Sequence, residues 1–70
     1  MRTVYFVGVP PQAAVTVYNV RGELVAAITA DSTGTARWDL SSGGFWVAHG
    51  TYPFRVKAAG TSFAGVVAVE

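Results

Sequence analysis

Cysteine is absent, histidine occurs once, and charged residues make up only 13% of the 70-residue chain. Each shortage removes a class of function. Without a thiol there is neither a disulfide framework nor a cysteine-ligated metal, so the apolar core has to hold the fold unaided. The cations Arg2, Arg21, Arg37, Arg55 and Lys57 are scattered and nearly balanced by Glu23, Asp31, Asp39 and Glu70, for a net charge of +1. Neutralising a phosphate backbone needs a concentrated basic surface, so nucleic acid is not an expected partner. No apolar run approaches the ~18 residues of a membrane-spanning helix, and no span is expected. The first residues lack the basic segment and long apolar stretch of a secretory leader. Any export signal is therefore expected in a longer parent chain.

Catalytic parts are as sparse as charge. His49 is the single histidine, next to Gly50, and no cluster of donors with ligand spacing accompanies it. A hydrolytic triad needs a serine, that histidine and an acid on a rigid frame. Ser32, Ser41, Ser42 and Ser62 instead fall in turn-like or strand-start contexts without a nucleophile elbow. Asp31-Ser32-Thr33-Gly34 lacks the further acidic ligands of a calcium loop. Gly43-Gly44 is followed by neither a lysine nor a helix, so it is no phosphate loop. The expectation is a protein with no enzymatic activity, no cofactor and no metal.

What the chain has in quantity is apolar area: 51% of its residues are hydrophobic and 13% aromatic. A domain this small buries only about 60% of the surface its unfolded chain exposes, so its core must be dense. The pattern alternates with period two and is cut at short intervals by glycine and proline. The strand-like stretches are Thr3–Val9, Val15–Val20, Glu23–Thr29, Thr35–Leu40, Thr51–Ala58 and Thr61–Val69. Leu24, Ala26 and Ile28 share one face; Ala36, Trp38 and Leu40 another; Tyr52, Phe54, Val56 and Ala58 a third. Arg21-Gly22 and Ala59-Gly60 mark hairpin turns, and Gly22 is expected at positive φ. Asp31–Gly34 and Ser41–Gly44 are turn-forming clusters, and no helical period is sustained. Pro53 inside the most regular stretch predicts an edge strand or a bulge. Residues 1–70 thus predict one all-β domain, a small antiparallel immunoglobulin/fibronectin-III-like sandwich of about seven strands.

The order of several short signatures resembles a known family. Phe6…Val9-Pro10 is followed by Val15-x-Val17-Tyr18-Asn19-x-x-Gly22-Glu23-Leu24-Val25. Then come Trp38-Asp39, Gly44, and Val47-Ala48-x-Gly50-x-Tyr52-x-Phe54-Arg55-Val56. Together they are similar to the immunoglobulin-like module of the flagellar hook-capping protein. Related modules sit at the C-termini of bacterial secreted proteins, including those exported by the type 9 system. The resemblance implies a non-catalytic accessory module of a secreted or cell-surface bacterial protein, acting in sorting, anchoring or assembly. Its partners would be parent-chain domains or the secretion and assembly machinery. Three positions depart from the family pattern. Pro53 stands where an aliphatic or aromatic residue is usual, and Val66 and Glu70 stand where basic residues are frequent.

Each signature also has a physical role. Gly22 allows the turn after Tyr18-Asn19. Asp39 can accept from the backbone of Ser41-Ser42 while Trp38 fills the core. Gly50 restarts the chain into a strand in which Tyr52 buries its ring and Phe54 follows on the same face. Two further readings stay open. Phe45, Trp46 and Tyr52 could form a surface for carbohydrate or protein, although a loop carrying Phe45 and Trp46 is expected to fold back over the open end of the core. Unpaired edge strands of such low charge are also open to self-association.

Overall fold

The computed structural model describes residues 3–42 and 44–69, without the side chain of Phe45. Glu70 and that side chain, both singled out above, therefore lie outside the described residues. The strands in chain order are β1 (Val4–Phe6), β2 (Ala14–Tyr18), β3 (Leu24–Thr29), β4 (Ala36–Trp38), β5 (Ser41–Ser42), β6 (Phe45–Trp46), β7 (Gly50–Ala58) and β8 (Thr61–Val69). No helix occurs among the described residues. The main sheet has the order β3-β2-β7-β8, and the pairs β1-β4 and β5-β6 are separate. All pairings are antiparallel.

Alternation decides which side chains meet. Val15 and Val17 of β2 stand opposite Val56 and Phe54 of β7, and the three valines are completely buried. Phe6 of β1 and Ala36 and Trp38 of β4 join the same apolar cluster from the other layer. Two edge-to-face aromatic pairs join the layers, Phe6 with Phe54 at 4.9 Å between centroids and Trp38 with Tyr52 at 5.7 Å. Such pairs add about 0.5–1.5 kcal/mol each beyond the area they bury. The result is a β-rich, sandwich-like fold in which a small pair of strands covers part of a larger sheet.

Four local expectations are corrected. The first strand ends at Phe6 rather than Val9, because Val9 turns inward and its N–H donates to the Gly34 carbonyl (3.2 Å). Pro53 is not on an edge, since β7 is paired on both sides. The ladder to β2 has its last pair at Val17↔Phe54, so on that side the missing N–H of Pro53 interrupts nothing. Leu24 is exposed, whereas Ala26 and Ile28 pack against the core. The register shift beside Val17/Tyr18 sets Tyr18 opposite Leu24 and Val17 opposite Ala26, which turns Leu24 to the outer face. Finally, the Ser41–Trp46 segment is a miniature hairpin (β5-β6) rather than only a turn cluster.

Phe54 is half-buried, and the reason lies on β8. Its partner there is Gly65, and a Cβ at that position would come within 2.6 Å of the Phe54 ring. The ring occupies the space a side chain would have taken, an aromatic lid over a strand glycine.

Candidate functional site

The most elaborate local arrangement surrounds Trp38 and Tyr52. Asp39 follows Trp38, and one carboxylate oxygen accepts from the Ser41 N–H (3.1 Å) and the Ser41 hydroxyl (2.6 Å). The Ser41 hydroxyl, followed by its backbone N–H, holds the Asp39 carboxyl below the usual range. Leu40 takes a positive φ of 62° while its side chain is buried. Left-handed backbone is costly for such a residue, by about 1–2 kcal/mol. The tightly held Asp39-Ser41 turn keeps it there. The Leu40 carbonyl then accepts from the Val47 N–H (2.8 Å), closing the β5-β6 hairpin.

Trp38 is 2% exposed, and its indole N–H donates to the Ser41 carbonyl (3.2 Å). Tyr52 is 8% exposed, packs edge-on against Trp38 and donates its hydroxyl to the Ala48 carbonyl. Gly50, between Ala48 and Tyr52, has φ +152°. The sequence marks Trp38, Asp39, Gly50 and Tyr52 individually; the structure buries Trp38 against Tyr52 and leaves Asp39 and Gly50 exposed at the turns beside them. Ala48 and Leu40 were missed, since a backbone acceptor and a left-handed leucine leave no signature in residue type.

Trp46 lies elsewhere. It is 65% exposed on β6, so the expectation that this loop folds back to bury its indole is overturned. The hairpin pairs Ser41 with Trp46, and the indole on that short ladder stays exposed. Of the three aromatics read as a binding surface, Trp46 is on the surface, Tyr52 is in the core, and the Phe45 side chain is outside the described residues. A continuous strip of the three is not formed, because Tyr52 faces inward.

Clefts are shallow. One of about 300 Å³ separates the edge of β3 from β4 and β5, between Val25, Ala27 and Ile28 on one side and Arg37, Asp39 and Ser41 on the other. Another, of about 180 Å³, has His49 and Tyr52 along one wall and Asn19 along the other. The cleft beside β3 contains one carboxylate and one guanidinium, both at the surface. Among the described residues no three His, Cys, Asp or Glu side chains are placed to share a metal ion. Gly22 has φ +84° in the β2–β3 turn, a structural assignment only.

No protein-family model, curated protein or solved structure matches the chain.

Proposed function

We propose that this chain is an immunoglobulin-like accessory module, without catalytic activity, of a bacterial secreted or cell-surface protein. Its work is to sort, anchor or assemble the chain that carries it. The observation that carries the reading is Tyr52. In immunoglobulin-type sandwiches a tyrosine near the start of the sixth strand donates its hydroxyl to backbone a few residues upstream, at the corner leading into that strand. Tyr52 is the third residue of β7 and donates to Ala48, four residues back. The strand order supports the same reading. Four strands in the order β3-β2-β7-β8 match the C′-C-F-G sheet of such folds, and β1-β4 matches the B-E pair of the opposing sheet. Folds are shared among many functions, so the sorting role rests on the sequence resemblance.

The test fuses the chain to the C-terminus of an inert, leader-bearing reporter in a bacterium with type 9 export. Surface or extracellular reporter, lost in a truncation that removes β7 and β8, is the expected result. If the reporter stays in the periplasm while an established sorting domain carries it out, sorting is wrong and anchoring or assembly remains.

Trp46 supports a second reading, a binding module for carbohydrate or protein. A 65% exposed indole on a short hairpin offers a flat apolar face for stacking. Titrating soluble polysaccharides against tryptophan fluorescence, with Trp46→Ala as control, tests it. No change in emission at saturating ligand removes it.

A further inference from the structure

We propose that the free edge of β8 pairs with the same edge of a second copy of this chain, joining two main sheets into one. The inference rests on the strand arrangement alone and stands whether or not the module serves export. The main sheet has two edges, β3 and β8, and they are unequal. β3 is six residues long, is paired with a register shift, and is flanked by the β4–β5 segment across a narrow cleft. β8 has none of these protections. It runs nine residues, Thr61–Val69, in unbroken register with β7, and contains no proline and no charged side chain. Natural edges are ordinarily blunted by shortness, charge, proline or a bulge, and one that lacks all four is a template for another strand.

The composition of β8 indicates what that strand is. In an antiparallel pair about a twofold axis, only the register centred on Gly65 pairs all nine residues. It sets Phe63 opposite Val67 of the other copy, Ala64 opposite Val66, and Ser62 opposite Ala68. Phe63 and Val67 face the core side, where Phe63 stands opposite Val56 and Val67 opposite Tyr52. Phe63 is nevertheless 46% exposed, because among the described residues no strand lies on its far side, and Val66 on the outer face is 63% exposed. The twofold pairing covers both, with an aromatic–β-branched contact on one face and small-against-large on the other. Like charges facing each other across a strand pair are destabilising. β8 carries none, and the chain as a whole carries only +1, so a second copy meets little Coulomb repulsion. A seam one strand long, about 30 Å, is small against the ~1,200–2,000 Å² of stable interfaces. The association is therefore weak, with a dissociation constant on the order of 0.1–1 mM.

Sedimentation velocity of the 70-residue chain from about 10 μM to 2 mM is expected to show a monomer–dimer equilibrium in this range. Val66→Lys, at an exposed outer position, should weaken dimerisation at least tenfold while leaving the melting temperature nearly unchanged. The register has its own readout. In a chain without cysteine, Ser62→Cys/Ala68→Cys places a pair of facing thiols at each end of the seam, two pairs per dimer, within the Cα spacing a disulfide requires. Mild oxidation should yield a covalent dimer at millimolar protein, and neither single variant should do so with comparable yield. A chain that stays monomeric to 2 mM overturns the proposal and leaves the edge to a different strand. So does a dimer that Val66→Lys does not weaken, or a double-cysteine variant that fails to crosslink while still dimerising.

Discussion

Two loops of this protein, Asn19–Glu23 and Asp31–Thr35, are built from the same hydrogen bonds and stand in different surroundings. In the first, the Gly22 N–H donates to the Asn19 carbonyl (2.9 Å) and the Asn19 N–H to the Glu23 carbonyl (3.0 Å). In the second, the Gly34 N–H donates to the Asp31 carbonyl (3.1 Å) and the Asp31 N–H to the Thr35 carbonyl (2.9 Å). The leading side chain does the same work in both. Its Oδ1 accepts from the N–H groups two and four residues on, Arg21 and Glu23 in one case and Thr33 and Thr35 in the other. Gly22 and Gly34 both sit at positive φ, +84° and +81°. The first loop joins neighbouring strands of one sheet, and its backbone hydrogen bonds close within Asn19–Glu23. The second crosses from β3 to β4 and is braced by the segment after β1, with Val9 donating to Gly34 and Gln12 to Asp31. Local chemistry sets the shape of such a loop, and its neighbours set how much change it tolerates.

The largest effect should separate the two glycines. A Cβ on Gly34 would lie 2.4 Å from the Val9 carbonyl oxygen, whereas one on Gly22 meets nothing within 4 Å. Gly22→Ala is expected to cost about 1–2 kcal/mol, the strain of left-handed backbone alone. Gly34→Ala adds displacement of the Val9 segment and loss of its hydrogen bond, for a total of about 3 kcal/mol or more. Urea denaturation of both variants measures the gap. Equal midpoints would mean that the Val9 segment moves aside freely, and the contrast between braced and free loops would fail.

That contrast also marks how far the sequence could be read. Turn residues and alternation locate the six strands other than β5 and β6, though not all their ends, together with the positive φ at Gly22 and the buried side of β4, because these depend on the residue and its immediate neighbours. Asp39 as a turn cap was legible for the same reason. Contacts between segments distant in sequence were not. Nothing in Asp31-Ser32-Thr33-Gly34 distinguishes it from the β2–β3 turn, yet only Gly34 is packed under Val9. Pro53 suggests an edge or a bulge in the sequence because the length of β2 cannot be seen from β7. A small core can use an indole, which favours a folded-back Trp46 over an exposed one, and the two-residue ladder that carries it has no signal of its own. At the candidate site, the members of the Trp38–Tyr52 corner were each visible, and their acceptor Ala48 was not.

A middle-sized effect tests the side-chain half of the comparison. Asn19→Ala removes the acceptor of two backbone N–H groups that water can reach, so the expected loss is about 1 kcal/mol. A melting temperature within a degree of the parent would show that the backbone pair Asn19–Glu23 holds the turn without it. A smaller effect of opposite sign is expected in the segment that braces the second loop. Ala13 donates to the Pro10 carbonyl (3.1 Å), with Gln12 at the third position of the turn and φ 63°. A glycine suits that position better. Gln12→Gly should stabilise by about 0.5–1 kcal/mol, the relief of strain less the added freedom of the unfolded chain. A destabilised variant would mean that the Gln12 side chain holds something there.

The finest distinction between the loops is one of charge, and it is read by pH. The Thr33 hydroxyl donates to Asp31 Oδ1 at 2.6 Å, and with the Thr35 N–H it lowers the carboxyl's affinity for protons from the ordinary 3.8. A carboxylate whose native value is depressed contributes stability in full above its unfolded value. That contribution is lost as pH falls through the lower native one. Asn19 holds the same geometry with an amide that does not titrate, so the cap itself brings no such dependence to the first loop. Asp31→Asn keeps the Oδ1 acceptor but exchanges charge-assisted bonds for neutral ones. The variant should be less stable than the parent at pH 7, and the difference should close as pH is lowered toward 2. Asp39, which accepts from the Ser41 hydroxyl in the same way, is unaltered in both chains and cancels from the comparison. The converse change, Asn19→Asp, should give the first loop a stability that is lost in acid. Denaturation midpoints of the three chains at pH 7, 4 and 2.5 provide the measurement. A parent–Asp31→Asn difference that does not shrink in acid would show that the aspartate acts through its shape and not its charge.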